Sequence, residues 1–207
     1  MNEIFDYFKE IFNKKGYRLY MVGGTSRDYL LGNKINDYDF VSDASPEEIL
    51  KFLNCDSTYK KYGSLKFDYK GQKIDFTTLR EEGDYLDSRH PSFIKFIKDI
   101  NIDYLRRDLT INAIYIDENY NVIDPSSYGV NDLNNKVLRF IGNPLVRIKE
   151  DPLRILRAER FSIEYGLRID EKTQKILKDN IYLLNKISIG KVEEEKSKLR
   201  KVIERKL

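Results

Sequence analysis

Apolar and polar residues alternate with a helical period in the opening MNEIFDYFKEIF, so the pattern predicts an amphipathic helix over Glu3–Lys14. Residues 18–22 and 38–41 have strand composition, with room for a short helix over residues 27–31 between them. Ser45-Pro46-Glu47-Glu48 is a helix start, a capping serine followed by proline at the first helical position. Residues 65–69 and 73–77 alternate in polarity and flank Lys70-Gly71-Gln72, the chemistry of a hairpin. Residues 111–116 predict a further strand, followed by the turn Asp124-Pro125-Ser126. From Pro144 onward the period becomes helical almost to the end. That shift predicts an α+β head over residues 1–140, a mixed sheet with helices, and an all-helical part over residues 141–207.

Composition narrows the chemistry. At 207 residues the chain is long enough to bury a core without staples, and its one cysteine, Cys55, excludes an internal disulfide and a cysteine-rich zinc site. A single histidine, His90, leaves little for a catalytic triad or a histidine-ligated metal, so catalysis must rest on carboxylates and bound cations. The 37 basic residues against 34 acidic ones give a net charge of +3, which does not by itself identify a nucleic-acid binder; distribution matters more. No apolar run approaches the roughly 20 residues of a membrane span, and the N-terminal pattern is not that of a signal peptide, which points to the cytoplasm.

The chemistry concentrates in GGTSRDYLLGNKINDYD, residues 23–39. Gly23 and Gly24 end a strand where backbone N–H groups can approach a phosphate with no Cβ in the way, and Arg27 adds a forked cation for the same phosphates. Asp37 and Asp39, two apart on a strand, project from one face. Such a pair repels unless something positive holds it, and carboxylate and phosphate oxygens are the ligands that Mg²⁺ prefers. A lone Asp-x-Asp is most often a solvated turn; the nearby glycine pair and Arg27 favour a two-metal site, with ions roughly 4 Å apart. Asp75, on the second hairpin strand, can bring a third carboxylate to the same metals, although alone it reads equally well as an exposed strand residue.

Two later segments carry weaker signals. Arg106-Arg107-Asp108 is a compact acid-base cluster suited to a ribose hydroxyl and a phosphate. In EDPLRILRAERF, Asp151, Arg154, Arg157 and Arg160 recur every third residue, each step roughly 60° short of a full helical turn. The plain reading is a salt-bridged surface helix. The chemical reading is stronger for Asp151 and Arg154. Cytosine and adenine each present an amino donor beside a ring-nitrogen acceptor, so one acceptor-only and one donor-only side chain fit C and A and reject G and U. Each missed contact with the wrong base costs about 1 to 3 kcal/mol.

GGTSRD with DYD, then DFTTLR, YLRRDLTINAIYID, IDPSSYGVNDL, KEDPLRILRAERF and YGLRID, in unbroken order over about residues 15–200, resemble the bacterial class II tRNA nucleotidyltransferases, the CCA-adding enzymes, and their poly(A) polymerase relatives. The resemblance implies a polymerase-β-type nucleotidyltransferase head followed by a helical neck. It implies Asp37 and Asp39 as metal aspartates with Asp75 as the third catalytic carboxylate, Gly23, Gly24 and Arg27 as the triphosphate cradle, and Arg107 with Asp108 as the ribose-reading motif. Asp151 and Arg154 match the protein template for C and A, with Arg157 and Arg160 beside them in the nucleotide pocket. Residues 81–103 correspond to a flexible loop that helps the switch from C to A addition. The implied reaction joins CMP and AMP, from CTP and ATP, to a tRNA 3′ end with Mg²⁺ as cofactor. The helical body and tail that grip the tRNA elbow are absent from the resemblance. A poly(A) polymerase, a CC-only or A-only enzyme, and a non-catalytic RNA-binding remnant are the alternatives.

Overall fold

The structure, a computed structural model, describes residues 2–85 and 91–206. His90 and part of the loop expected over residues 81–103 lie outside the described residues. The chain forms two compact units that interleave along the sequence. Unit 1 comprises Met1–Glu81, Ile94–Arg106 and Asn112–Ser127; unit 2 comprises Glu82–Phe93, Arg107–Ile111 and Tyr128–Leu207.

Unit 1 opens with helix α1 (Glu3–Lys14), capped by the Asn2 side chain, which accepts the Phe5 N–H at 3.0 Å. Strand β1 (Leu19–Met21), helix α2 (Gly23–Leu31), strand β2 (Asp37–Ser42) and the short helix α3 (Pro46–Ile49) follow. The expected serine cap of α3 is a full capping box: Ser45 Oγ accepts the Glu48 N–H, and the Glu48 carboxylate accepts the Ser45 N–H at 2.7 Å. Strands β3 (Ser64–Tyr69) and β4 (Gln72–Thr78) form the expected hairpin. Its two-residue connection puts Lys70 at φ 50° and Gly71 at φ 77°, the double left-handed turn that matches strand twist. A two-stranded ribbon pairs β5 (Arg80–Glu82) with β6 (Ile94–Phe96), ahead of helix α4 (Ile100–Asp103) and strands β7 (Tyr115–Ile116) and β8 (Val122–Ile123).

The main sheet has the order β3-β4-β2-β1-β7-β8 and is mixed: β2 runs parallel to β4, and β1 lies antiparallel to both β2 and β7. Residues alternate across it. Tyr38 and Phe40 of β2 and Ile74 and Phe76 of β4 face a core that receives Phe5, Phe8 and Phe12 from α1. Each of those phenylalanines is fully buried and is worth about 1.5 to 3 kcal/mol of transfer free energy. The opposite face carries Val41 with Tyr20, Val22, Leu79 and Tyr115, and the same alternation puts Asp37, Asp39 and Asp75 on that side.

The strand expected over residues 111–116 is reduced to Tyr115–Ile116, preceded by a 3₁₀ turn, Thr110–Asn112. The polar side chains there act as tethers instead of facing solvent from a strand. Thr110 Oγ1 donates to the buried Asp132 carboxylate at 2.7 Å, and Asn112 Oδ1 accepts from Arg27.

Unit 2 is helical for most of its length: α5 (Gly129–Asn134), α6 (Pro144–Glu150), α7 (Leu153–Tyr165), α8 (Glu171–Asp179) and α9 (Ile189–Glu204). Leu153 and Leu156 of α7 pack with Ile187, Leu184 and Val192. Arg160 of α7 reaches Glu195 of α9, Nε to Oε1 at 2.7 Å. Among the described residues no helix is long and apolar enough to cross a membrane.

Candidate active site

Gly23 and Gly24 do not form a turn that precedes a later helix; they are the first turn of α2, which starts four residues ahead of the expected residue 27. Gly23 sits at φ 62°, where a Cβ is strained, and a Cβ built on either glycine stands 3.2 Å from Asp39 Oδ2. The pair is glycine because the Asp39 carboxylate occupies the adjoining space. The Gly24 N–H is committed to that carboxylate, donating to Oδ2 at 3.1 Å. A Gly24 Cβ would also stand 3.7 Å from Arg27 Nη2, so the carboxylate and the guanidinium meet at the same glycine. Arg27 itself is buried and donates to Asn112 Oδ1.

Thr25, fully buried, adds a tie not visible from the motif. Its hydroxyl accepts the Asp39 N–H at 2.6 Å and donates to the Asp37 carbonyl at 3.4 Å, fixing α2 against the strand that bears both aspartates. The Thr in GGTSRD was the available signal.

Asp37 is exposed and Asp39 half-buried, both on one face of β2, and Asp75 is the in-register neighbour of Asp39 on β4. The three candidate carboxylates therefore share a sheet face. Asp75 has another partner: the facing residue across the hairpin is Lys66, whose Nζ lies 3.2 Å from Asp75 Oδ1. Partial burial disfavours the Lys66 charge, but Asp75 outweighs it and raises the ammonium above its ordinary range. Among the described residues no group of three or more His, Cys, Asp or Glu side chains is arranged to hold a metal ion. Asp37 and Asp39 supply an all-oxygen pair, the donor chemistry that fits Mg²⁺.

The second set of candidates lies in unit 2. Asp151 is not on a helix with the arginines; it is an extended residue at φ −144° between α6 and α7. The reason is local, since Pro152 disfavours helical backbone at the residue before it. The Asp151 carboxylate accepts the Leu153 N–H at 3.1 Å. Arg154, Arg157 and Arg160 do share α7, yet each goes to a different place. Arg154 is buried, its Nη1 donating to Glu150 Oε2 at 2.6 Å and to the Arg147 carbonyl at 2.8 Å. Arg157 pairs with the buried Asp108, Nε and Nη2 both at 2.7 Å from Oδ2, and this carboxylate raises the guanidinium above its ordinary range. Arg160 joins Glu195 and Glu164 and lies over the Phe161 ring, a tie between helices.

Arg107 is half-buried, and its carbonyl accepts Arg147 Nη2 at 2.7 Å. Sequence reasoning missed Arg147 and Glu150. Arg147 Nη1 also lies 2.6 Å from Glu150 Oε2, so one carboxylate serves two guanidiniums. Burial, and then the Arg154 charge, push Arg147 below its ordinary range. The i,i+3 and i,i+4 spacings from Glu150 were the signal in the sequence.

The chain is similar to known proteins over most of its length. A family model described as the poly A polymerase head domain matches residues 19–139. The CCA-adding enzyme of Lactobacillus helveticus is 38% identical over 181 residues, 87% of this chain and 45% of that protein. The crystal structure of the Bacillus stearothermophilus CCA-adding enzyme in complex with CTP superposes with a TM-score of 0.84 at 32% identity, covering 96% of this chain and 49% of that one. A tRNA nucleotidyltransferase complexed with a primer tRNA and an incoming ATP analog gives 0.73 at 30% identity, covering 95% and 58%. The chain spans about half the length of the curated relatives it matches. Because the head-domain match takes in β1, the glycine pair, all three carboxylates and the Arg107-Asp108 segment, the chain belongs to the poly(A) polymerase head-domain family.

Proposed function

We propose that this chain carries the nucleotidyl-transfer and base-reading parts of a CCA-adding enzyme, which joins CMP and AMP from CTP and ATP to the 3′ end of a tRNA without a nucleic-acid template. In this reading residues 1–140 are the head and residues 141–207 the neck. The observation that carries it is the meeting of Asp39 Oδ2, the Gly24 N–H and Arg27 at the start of α2, beside Asp37 on the same strand face. In this reading the oxygens that would bind the metal and the cation that would bind the phosphates lie beside the same glycine.

The tRNA 3′ hydroxyl gives its proton to solvent, its oxygen forms a bond to the α-phosphorus of the nucleotide, and the bond from that phosphorus to the bridging oxygen breaks, so that pyrophosphate leaves. Asp37 and Asp39 would hold Mg²⁺, which supplies positive charge to the attacking oxygen and the triphosphate. Asp75, held by Lys66, is the third carboxylate of the set. Arg27 steadies the phosphates, and Gly23 and Gly24 leave room beside it for the Asp39 carboxylate. Arg107 and Asp108 meet the ribose, with Asp108 anchored by Arg157. Asp151 accepts from the base amino group while Arg154 donates to the ring nitrogen. Positioning and charge neutralisation do most of the catalysis. A tRNA substrate puts the site of action in the cytoplasm.

The test is incorporation of labelled CTP and ATP into a tRNA lacking CCA, followed by sequencing of the 3′ ends. Asp39→Ala is expected to abolish incorporation with an unchanged far-UV spectrum; full activity in that variant would sink the metal assignment. A product of repeated A residues would instead identify a poly(A) polymerase, the activity that the family description names.

A further inference from the structure

On the sheet face that carries the three candidate carboxylates, strand register lays charged residues out in rows. One row begins on the edge strand: Lys66 of β3 faces Asp75 of β4, and Asp75 lies beside Asp39 of β2. The next row sets Asp68, Lys73 and Asp37 side by side in the same way. Neighbouring strands stand about 4.8 Å apart, so the Asp39 and Asp75 carboxylates are close enough to repel each other and to compete for one cation.

A cation is already at Asp75. Lys66 Nζ lies 3.2 Å from Asp75 Oδ1, and the pair is open to water, with side chains 53% and 41% exposed. An ion pair so exposed is weak, and its partners exchange readily. A divalent ion and an ammonium cannot both lie against the same carboxylate oxygen without repulsion between them. Lys66 therefore relieves the repulsion between the two aspartates and at the same time blocks one of the oxygens that a metal would use.

We propose that Lys66 is a positioning residue for the metal site: in the nucleotide-free chain its ammonium stands in for the divalent ion at Asp75, and the carboxylate joins the site only when the lysine lets go. This rests on the proposed metal role of Asp37 and Asp39. With Lys66 in place the ion meets two available carboxylates; with Lys66 removed it meets three. Affinity for a divalent ion should therefore rise when the lysine is lost, and only if Asp75 is there to be freed.

The experiment titrates Mn²⁺, a spectroscopic stand-in for Mg²⁺, into the nucleotide-free full chain at low ionic strength, with free ion counted by electron paramagnetic resonance. The chains are wild type, Lys66→Met, Asp75→Asn, the double variant of these two, Lys70→Met and Asp39→Ala. Lys66→Met is expected to bind Mn²⁺ about two- to fivefold more tightly than wild type, the span of an exposed ion pair, and the gain should vanish in the Asp75→Asn background. Lys70→Met removes the same charge from the turn of the same hairpin, where Lys70 lies over the Tyr69 ring, and should leave the affinity unchanged. An unchanged affinity in Lys66→Met, a gain that survives Asp75→Asn, or an equal gain in Lys70→Met would overturn the inference alone, because binding would then not depend on the contact between Lys66 and Asp75. Binding in Asp39→Ala equal to that of wild type, or no binding by any of the chains, would overturn the metal role of the aspartates and this inference with it.

Discussion

The two glycines that open α2 are expected to fail differently when each is replaced by alanine. At position 23 two costs coincide: φ is 62°, and the new Cβ stands 3.2 Å from Asp39 Oδ2. The left-handed backbone alone costs an L-residue about 1 to 2 kcal/mol. At roughly 2 to 4 °C per kcal/mol for a chain of this size, Gly23→Ala should melt about 2 to 8 °C lower. Gly24 has the same 3.2 Å approach without the positive φ. Alanine is the better helix former by up to about 1 kcal/mol, so Gly24→Ala should melt at or slightly above the wild-type temperature.

The 3.2 Å contact nevertheless forces the Asp39 carboxylate to retreat by a few tenths of an ångström and stretches its 3.1 Å bond to the residue 24 N–H. Since a misplacement of about 1 Å costs on the order of a hundredfold, turnover in the proposed reaction should fall roughly three- to tenfold in Gly24→Ala. The assay pairs differential scanning calorimetry with steady-state CTP incorporation at saturating Mg²⁺. Wild-type turnover in Gly24→Ala would refute the argument that the glycine pair exists to make room for Asp39. A melting point as low as that of Gly23→Ala would refute the separation of strain from crowding.

Three further outcomes follow from buried charge and burial alone. Arg157→Ala removes both guanidinium contacts from the Asp108 carboxylate, which is 8% exposed; because Arg157 itself is 36% exposed the loss is discounted to about 2 kcal/mol, and adding Asp108→Asn should restore part of it in thermal melts. Arg160→Ala should speed amide hydrogen exchange along α9 while leaving α1 unchanged, since it removes the ion pair to Glu195; unaltered exchange in α9 would show the tie to be dispensable. Burial pushes the Cys55 thiol up to about 11, so at pH 8 only on the order of one molecule in a thousand is thiolate, and a disulfide reagent should label the native chain slowly; the labelling rate should climb with pH toward 11, and stoichiometric reaction within seconds at pH 8 would contradict the burial.

What the sequence made legible was whatever depends on period or on adjacent residues. Phe5, Phe8 and Phe12 announced α1 by spacing, Lys70-Gly71 announced its hairpin by backbone chemistry, and Asp37 and Asp39 announced a shared face by strand alternation. Contacts between residues distant in the chain left no such mark. The two-residue turn at Lys70-Gly71 fixes the register that sets Lys66 against Asp75, and the i,i+4 spacing marks Glu150 for Arg154, but nothing in the arginine row tells that Arg157 closes on Asp108 or Arg160 on Glu195. The expected row failed at Asp151 for a reason the sequence did contain, the proline that follows it, and the expected strand at residues 111–116 failed because Thr110 and Asn112 had better partners than a neighbouring strand.

The interleaving of the two units has the same origin. Arg107-Asp108 precedes the last strands of unit 1 in sequence but belongs to unit 2, because Asp108 answers Arg157 and the Arg107 carbonyl answers Arg147. A boundary drawn by composition follows the change from strand to helical period, whereas a unit is defined by which charges and side chains close on one another. The residues proposed to meet the ribose are thus held by α6 and α7, the helices that flank Asp151 and of which α7 carries Arg154, the two residues proposed to read the base. A substitution at Arg147 or Arg157 should therefore disturb sugar and base selection together while leaving the Asp37-Asp39 strand in place.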